Sequence, residues 1–363
     1  MIVIGADTHK QTHTVAAVFA GSGQLARELT ASAREPGFRE LLAWGRGLDE
    51  ERIWAIEDCR HVSGSLERFL VASGERVVRV PPKLMGQSRR GERTAGKSDP
   101  IDALAIARAA LREGPETLPA AYLDEDAMQV KLLLDHREDL VKARSEDQCR
   151  LRWHLHDLWP ELEIPAGALD RMVWLERVAR RLSRAEQGAR VAIARELVRE
   201  IRRRTRRAAE LEREIGGLVK AQAPELLELE GCGALTAAKL LAETAGAARL
   251  ASDAKFARLA GVAPIPASSG KRIRHRLDRG GNRQLNCALH RIAVTQGRIH
   301  PPAREFLARK QAEGKSRMEA LRCLKRHLAR RVWKLLVDSE REISMTAVDT
   351  QRGKLAPQIA VAA

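Results

Sequence analysis

The chain of 363 residues contains few aromatic residues, with one Tyr, five Phe and six Trp making up 3% of the sequence. Stacking of bases on aromatic side chains therefore cannot be a main way for this protein to bind nucleic acid. The chain also has only five cysteines, which are widely spaced and form no CxxC pair. This pattern excludes a disulfide framework and a zinc knuckle, and it fits a reducing cytoplasm.

Long hydrophobic runs are missing as well. No stretch approaches the ~20 apolar residues that a membrane span requires, and the short apolar run at the N-terminus has no basic leader. We therefore expect a soluble, cytoplasmic protein that is not exported and that associates with the nucleoid when it binds DNA. At roughly 100 to 200 residues per domain, the length allows two or three domains.

Basic charge is abundant and concentrated. Lys and Arg number 64 against 48 Asp and Glu, which gives a formal net charge of +16. Residues 271–334 alone carry 19 basic and four acidic side chains, so this segment holds +15 of the excess. A surface of this kind points to a polyanion such as nucleic acid or to an anionic membrane surface.

The first 120 residues alternate the patterns of strands and helices. The order βββαβαβα predicts an α/β domain with a sheet of mixed direction over residues 1–120. Predicted strands cover 2–6, 13–20, 24–30, 52–56 and 76–80, and predicted helices cover 35–47, 63–72 and a stretch that opens at Ser98. Residues 82–97 are rich in glycine and basic residues and are predicted to form a mobile loop.

The rest of the chain is predicted to be helical. Residues 121–222 contain two long charged helices, which indicate an antiparallel arm that acts as a spacer or an oligomer interface, or else a plain solvated helical hairpin. Residues 223–340 predict a compact basic domain, in which Gly231-Cys232-Gly233 resembles a helix-hairpin-helix turn. That turn could contact phosphate or simply pack. Residues 341–363 are predicted to be a disordered tail.

The last predicted helix of the basic domain starts at Ser316, which forms a capping box with Glu319. One face of this helix is apolar and packs on a core. The opposite face is predicted to be a basic surface that includes Arg322, Lys325, Arg326, Arg330 and Lys334.

Four carboxylates occupy positions where chemistry can be built. Asp7 ends the first strand, Glu57 ends the fourth, and Asp99 and Asp102 lie three residues apart in the first turn of a helix, hence on one face. Oxygen ligands of this kind, with few histidines nearby, suit Mg²⁺ or Mn²⁺. Two such ions can activate the attacking oxygen and stabilise the leaving oxygen in phosphoryl transfer.

Each acid also has a structural explanation. Ser98-Asp99-Pro100 is an ordinary helix start, and the helix dipole favours Asp102 near the N-terminus. Asp7 is harder to explain in this way, because an acid at the end of a buried strand needs a partner or a metal. Asp58 competes with Glu57, but alternation along the strand sends the two to opposite faces.

The residues of these motifs resemble a family of insertion-sequence transposases. The runs IGADTHK, WAIED and KSDPIDALAIAR are similar to the DEDD set of that family's RuvC-like domain, which has the RNase H fold. The run LAGVAPIPASSGKRIRHRLDRGGNRQLNCALHRIA is similar to its C-terminal domain, which carries a nucleophilic serine just before a glycine. Together the matches extend from residue 2 to about residue 335.

The resemblance implies a recombinase that moves its own element. It implies that Asp7, Glu57, Asp99 and Asp102 bind Mg²⁺ and that Ser269 attacks a DNA phosphate. Members of this family are guided by a structured non-coding RNA, the bridge RNA, which pairs with donor and target DNA. They assemble as tetramers in which the RuvC-like domain of one protomer completes its active site with the serine of another.

The local sequence around Ser269 is compatible with this role. The Ser268-Ser269-Gly270 run follows two prolines and lies on a predicted loop, and basic residues after it could hold a phosphate. The other interpretation is a plain turn before a basic hairpin, and Ser268 is a rival nucleophile. Ser269 is preferred because the family's serine directly precedes the glycine. The predicted nucleic-acid contacts are Lys271, Arg272, Arg274, Arg276, Arg279, Arg283, Arg326 and Arg330.

Three functions are therefore in competition. The first is an RNA-guided, Mg²⁺-dependent serine recombinase. The second is a nuclease that uses only metal ions, such as a junction resolvase, in which the acids activate water and Ser269 is structural. The third is a non-catalytic protein whose basic segment coats the phosphate backbone and whose binding weakens steeply with salt.

Overall fold

The structure is a computed structural model, which describes residues 1–57, 60–81, 84, 98–118, 120–121, 125–267, 275–276, 278 and 280–359. Side chains are described in these ranges except at 60–63 and 343–359. The chain divides into two compact units, Met1–Asp124 and Glu125–Ala363. Among the described residues, no helix is both long and apolar enough to cross a membrane.

A five-stranded mixed sheet forms the N-terminal unit, in the order β3-β2-β1-β4-β5. Strand β2 is antiparallel to both of its neighbours, whereas β1, β4 and β5 run parallel. This arrangement confirms the predicted RNase H-like α/β fold. The strands are β1 (Ile2–Thr8), β2 (Thr12–Phe19), β3 (Leu25–Ser32), β4 (Arg52–Glu57) and β5 (Val77–Val80), and the helices are α1 (Glu35–Arg46), α2 (Arg60–Ala72) and α3 (Asp99–Glu113).

Alternation along β1 and β4 gives the sheet two different faces. Ile4 and Ile56 belong to the core that packs under α1 and α2, whereas Val3 and Ala55 belong to the core under α3. Helix α3 lies so close to the sheet that a Cβ on Gly5 would come within 2.1 Å of the Ala103 carbonyl oxygen. Glycine at position 5 therefore allows the backbone of α3 to pack directly on β1.

Two long helices, α4 (Glu125–Leu158) and α6 (Ala189–Gln222), open the C-terminal unit. Leu155 near the end of α4 packs with Val191 near the start of α6, while Val130 near the start of α4 packs with Val219 near the end of α6. The two helices are therefore antiparallel, as the sequence predicts. A shorter helix between them, α5 (Met172–Ser183), was not predicted.

The remaining elements surround a single aliphatic core that includes the C-terminal part of α6. They are α7 (Glu225–Glu228), α8 (Ala234–Thr244), α9 (Asp253–Leu259), β6 (Ile265–Pro266), β7 (His275–Arg276), α10 (Arg283–Ile299), α11 (Pro301–Ala312) and α12 (Arg317–Ile359).

The turn that resembles a helix-hairpin-helix element lies between α7, which is a single turn of helix, and α8. Gly231 has a φ of +82°, and a Cβ there would lie 3.0 Å from the Thr295 side chain of α10. The close approach that requires glycine is therefore to a neighbouring helix. Of the two roles left open by the sequence, this contact supports packing.

Helix α12 differs from its prediction in two respects. It continues to Ile359, where the sequence predicts a disordered tail from residue 341; no Gly or Pro interrupts it before Gly353. Lys325, predicted on the exposed basic face, is buried. The predicted capping box is present, because Ser316 Oγ accepts from the Glu319 backbone N–H at 3.3 Å and the Glu319 carboxylate accepts from the Ser316 N–H at 2.9 Å.

Candidate functional site

Asp7 lies near the carboxyl end of β1 and is 8% exposed. It shares its side of the strand with Val3 and Gly5, so its side chain is on the face of the sheet that α3 covers. On the neighbouring antiparallel strand, its register partner is Thr14. The sheet therefore places a buried carboxyl group beneath the start of a helix.

Glu57 closes the parallel strand next to β1. Ala6 pairs with Ile56 in the register of β1 and β4, so Glu57 follows at the level of Asp7. Alternation puts Glu57 on the same face as Ile53 and Ala55, which is again the α3 face. This placement agrees with the preference for Glu57; its rival Asp58 lies outside the described residues.

The N-terminal turn of α3 contributes the other two predicted acids. Ser98 is the N-cap residue in extended conformation, Asp99 begins the helix, and Asp102 donates its backbone N–H to the Ser98 carbonyl at 3.0 Å. The Asp102 side chain is buried, whereas that of Asp99 is half-exposed. Gly5 of β1 contacts Ala103, which is one helical turn after Asp99. The start of α3 therefore lies over the end of β1.

His9 joins this cluster although the sequence analysis did not select it. Its Nε2 atom lies 3.2 Å from Asp7 Oδ2 and 3.4 Å from Asp99 Oδ1. Atoms of these three residues that could ligate a metal ion all lie within 4.8 Å of one another. The sequence predicts few histidines near the acids, and His9 is one that contacts two of them. The signal was available, because His9 is two residues beyond Asp7, the spacing that keeps side chains on one side of a strand.

The electrostatics of the cluster disfavour a charged Asp7. Burial raises the pKa of the Asp7 carboxyl; His9 works against this shift, and the negative charges of Asp102 and Asp99 add to it. A divalent cation among these groups would offset both the burial and the repulsion. Carboxylate oxygens with one imidazole nitrogen form a donor set that such a cation accepts, so the residues fit a metal ion.

The serine segment of the C-terminal unit is bracketed by a small hairpin. Strands β6 and β7 pair antiparallel, with Pro266 opposite His275. The two strands thereby hold together the ends of the segment that contains both candidate nucleophiles. Outside the described residues lie Ser268, Ser269, Lys271, Arg272, Arg274 and Arg279.

Side-chain amides fix the base of this hairpin. Asn286 Nδ2 of α10 donates to the carbonyl oxygens of Ala260 and Gly261 at 3.0 and 2.9 Å. Asn282 caps α10, accepting from the backbone N–H groups of Gln284 and Leu285, and its amide donates to Glu243 at 2.6 Å. The segment that leads into the hairpin is therefore tied to α10, and the start of α10 is tied to α8.

The described basic residues differ in exposure and in whether a carboxylate of the protein contacts them. Arg276 on β7 and Arg283 at the start of α10 are exposed. Arg326 and Arg330, predicted to hold nucleic acid, both contact Asp253 of α9, at 2.9 and 3.1 Å. Part of the positive charge on this face is therefore neutralised within the protein.

Comparison with known proteins gives matches to both units. Residues 4–160 match a DEDD transposase model of the IS110 group, and residues 223–308 match the model of the IS116/IS110/IS902 transposase family. The chain is 27% identical to the 44.8 kDa protein of insertion element IS116 from Streptomyces clavuligerus, across 93% of this chain and 95% of the relative. It is 26% identical to the 42 kDa protein of insertion element IS900 from Mycobacterium paratuberculosis, across 92% and 95%.

One solved structure is also similar to part of the chain. T. thermophilus RuvC, in complex with a Holliday junction substrate, aligns with 31% of this chain and 96% of its own, at 16% identity and a TM-score of 0.25. The two family models together cover the sheet with its acids, the start of the helical arm and the hairpin with its serine segment. The chain therefore belongs to the IS110/IS116/IS902 family of transposases.

Proposed function

We propose that this protein is a recombinase that moves its own insertion element by Mg²⁺-dependent cleavage and exchange of DNA strands, through a covalent bond between Ser269 and DNA. The observation that carries the proposal is the placement of Asp7 and Glu57 on the face of the RNase H-like sheet that α3 covers, with Asp102 buried in the first turn of α3. Membership of a transposase family supports the same reaction class.

The residues that would hold the metal are Asp7, Glu57, Asp99 and Asp102, with His9 beside them. When bound, Mg²⁺ or Mn²⁺ supplies positive charge that polarises a phosphodiester and lowers the pKa of an attacking hydroxyl. The protein contributes fixed positions for these ligands, because β1, β4 and α3 are rigid elements of one core. It also limits the access of water to Asp7, which is buried.

The serine step exchanges one phosphorus–oxygen bond for another. Ser269 Oγ attacks a DNA phosphorus and loses its proton, the Oγ–P bond forms, and the bond from phosphorus to the departing strand breaks. The departing oxygen takes up a proton. A hydroxyl of the new strand then attacks the same phosphorus and releases the serine. Arg276 and the other basic residues of the segment stabilise the charge on the phosphate.

The partners follow from the family resemblance. A structured bridge RNA pairs with donor and target DNA, and the protein works as a tetramer in which one protomer's acids act with another protomer's serine. Since sequence choice is then made by base pairing, few side chains need to read base edges. Because the substrate is the element's own chromosomal DNA, we place the protein in the cytoplasm.

The nucleophile is tested by substituting each serine of the doublet. Purified wild-type protein, Ser269→Ala and the matched control Ser268→Ala are incubated with labelled element DNA and Mg²⁺, and protein–DNA adducts are separated on denaturing gels. We expect the adduct to be lost only in Ser269→Ala. Normal cleavage by that variant would identify a metal-only nuclease, and DNA binding that ignores both Mg²⁺ and Asp7→Ala, without cleavage, would identify a non-catalytic binding protein.

The guide is tested by recovering nucleic acid from the purified protein and sequencing it. We expect one discrete structured RNA that is encoded beside the gene. Heterogeneous RNA that is lost in high salt would contradict guidance by a specific RNA.

A further inference from the structure

A cavity of about 690 Å³ lies in the C-terminal unit. Its walls are the β6–β7 hairpin, the turn that follows α11 and the first turns of α12. The volume is within the range of pockets that bind small ligands and is large enough for a nucleotide. Its cationic lining residues include Arg276, Lys310, Lys315, Arg322, Lys325 and Arg326.

Most of these cations have an anionic partner within the protein. Glu313 forms ion pairs with Lys310 at 2.8 Å and with Lys315 at 3.6 Å. Arg322 pairs with Glu319 at 3.7 Å and Arg326 pairs with Asp253 at 2.9 Å. These residues form a neutralised rim.

Lys325 is the exception among the buried residues of the cavity. It is 5% exposed, and its ammonium group donates to Asn286 Oδ1 at 2.8 Å. Within the described part of the chain no carboxylate forms an ion pair with it. Burial lowers the pKa of Lys325, and the nearby Arg322 guanidinium lowers it further.

Another buried lysine of the same unit has its charge offset by a carboxylate. Lys239 of α8 is also 5% exposed, but it binds the Glu138 carboxylate and donates to Gln284 at 2.9 Å. An ammonium group that is removed from water without an anion is costly. Among the residues that the structure describes, Lys325 therefore has no anion to offset its burial, and it lines a cavity that could admit one.

The position of the cavity indicates the kind of anion. Arg276 is on the strand that closes the serine segment, directly after His275, which pairs with Pro266. Asn286, the hydrogen-bond partner of Lys325, also holds the carbonyl groups of Ala260 and Gly261 that lead into the hairpin. Lys325 is thus connected to the base of the segment that carries Ser269.

We infer that this cavity binds a phosphodiester group of nucleic acid, with Lys325 at its buried end and Arg276 on its hairpin wall. The inference deepens the proposed function, and it rests on that function for the source of the phosphodiester, which is the DNA strand beside Ser269. An ammonium and a guanidinium together provide charge-assisted hydrogen bonds to the non-bridging oxygens of one phosphate. Lys325 keeps the phosphate in place because it is desolvated, whereas the rim cations are already paired.

Binding by the full-length protein tests the inference. The probes are a fluorescein-labelled 20-base-pair DNA duplex and an RNA single strand, followed by anisotropy, with inorganic phosphate as a competitor. Lys325→Met is compared with Lys334→Met, which removes the same charge from an exposed position of the same helix. We expect Lys325→Met to weaken DNA binding about tenfold, and Lys334→Met to weaken it about twofold.

A second variant protects the test from a folding defect. Arg276→Gln changes an exposed residue of the cavity wall, and we expect it to weaken binding in the same assay and to lower the salt slope by about one. A loss confined to RNA would assign the phosphodiester to the guide RNA. If Lys325→Met and Arg276→Gln bound both polymers as Lys334→Met does, the inference would be wrong, even if phosphate still competed.

The outcome is independent of the test of the nucleophile. Normal binding by Lys325→Met together with loss of the adduct in Ser269→Ala would reject the phosphate site and leave the recombinase intact. Weakened binding by Lys325→Met with an unchanged adduct in Ser269→Ala would keep the phosphate site and reject the serine mechanism.

Discussion

The two units bury charges of opposite sign in the same unusual way. In the N-terminal unit, Asp7 is buried with the like charges of Asp102 and Asp99 nearby. In the C-terminal unit, Lys325 is buried near the like charge of Arg322. Each arrangement raises the energy of the charged form, and each would be relieved by a ligand of the opposite sign.

Both units also contain a buried charge that the protein neutralises itself. Glu75 accepts hydrogen bonds from Arg46, Arg52 and Trp54, and Lys239 binds Glu138. The difference between these two kinds of buried charge helps to distinguish structural residues from candidate functional residues in this chain. Buried charges with a complete set of partners stabilise the fold, and we propose that a metal ion or a phosphate binds at the buried charges that have like charges beside them.

The largest effect that this comparison predicts is the loss of cleavage in Asp7→Asn. The substitution keeps the shape of the side chain but removes the charge that would bind a divalent cation. We expect the rate of strand cleavage to fall by about 1,000-fold, which corresponds to several kcal/mol of transition-state stabilisation. Single-turnover cleavage of labelled element DNA measures this rate, and Asp49→Asn, which changes a carboxylate at the other end of the sheet, is the control.

Although Asp7→Asn is expected to lose cleavage, we expect it to be more stable than the wild type in the absence of divalent cations. The pKa of Asp7 is higher in the folded protein than in the unfolded chain. The free energy of unfolding therefore falls as the pH rises from the ordinary pKa of an aspartate through the raised pKa, because the carboxyl group loses its proton more easily in the unfolded chain. Asp7→Asn removes this loss, so its melting temperature at neutral pH is expected to exceed that of the wild type. Mg²⁺ should narrow the difference by stabilising only the wild type. A lower melting temperature in Asp7→Asn would contradict our view of this site.

The sequence predicts the five strands of the sheet, and it assigns Asp7 to the first strand and Glu57 to the fourth. Strand alternation alone preferred Glu57 over Asp58, and the register of β1 and β4 places Glu57 at the level of Asp7. His9 was overlooked because β1 was predicted to end at Ala6, whereas the strand continues to Thr8. The two-residue spacing can pair His9 with Asp7, but β1 and the start of α3 are separated by about ninety residues, so no local pattern could reveal the contact of His9 with Asp99.

The burial of Lys325 shows a different limit of sequence reasoning. The spacing of Leu321, Lys325 and Leu328 is four and then three residues, which places Lys325 on the apolar stripe of α12. The prediction gave more weight to the charge of the residue than to its position and assigned it to the exposed face. The structure follows the helical period, since packing of α12 on α10 sets which side is buried.

The second prediction concerns Glu75→Gln, the paired counterpart of Asp7. Burial opposes ionisation of this carboxyl group, but the hydrogen bonds from Arg52, Trp54 and Arg46 outweigh it and hold the pKa of Glu75 below its ordinary value. We expect the substitution to lower the free energy of unfolding by about 3 kcal/mol, because it leaves the guanidinium of Arg52, whose side chain is 15% exposed, without its anion.

The pH dependence of this contribution is opposite to that of Asp7. A lowered pKa stabilises the protein above the ordinary value and loses this effect as the pH falls through the folded pKa. Urea unfolding of wild type and Glu75→Gln at pH 7 and pH 3 measures the difference, which should shrink in acid. A variant that is as stable as the wild type at pH 7 would contradict the contrast between Glu75, which has several cationic partners, and Asp7, which has like charges beside it as well as His9.

The third prediction compares the two buried lysines. Lys239→Met leaves Glu138 and Gln284 without their donor, and we expect it to lower the free energy of unfolding by about 1 to 2 kcal/mol. Lys325→Met loses one hydrogen bond to Asn286 but also removes a buried ammonium that has no ion pair with any carboxylate the structure describes, so its free energy of unfolding should be unchanged or higher. Urea unfolding at pH 7 measures both, and a larger loss in Lys325→Met would show that Lys325 is structural.

The smallest effect concerns Arg330, which is exposed but already contacts Asp253. Since DNA must compete with this carboxylate, we expect Arg330→Gln to reduce the salt slope of DNA binding by less than the ~0.9 of a full phosphate contact. Asp253→Asn should have the opposite effect, because it releases both Arg330 and Arg326 for phosphate. Anisotropy titrations at several salt concentrations distinguish the two. A steeper slope in Asp253→Asn with a flatter one in Arg330→Gln would show that Asp253 neutralises part of the positive charge of this face; equal slopes in all three proteins would place the nucleic-acid surface away from α12.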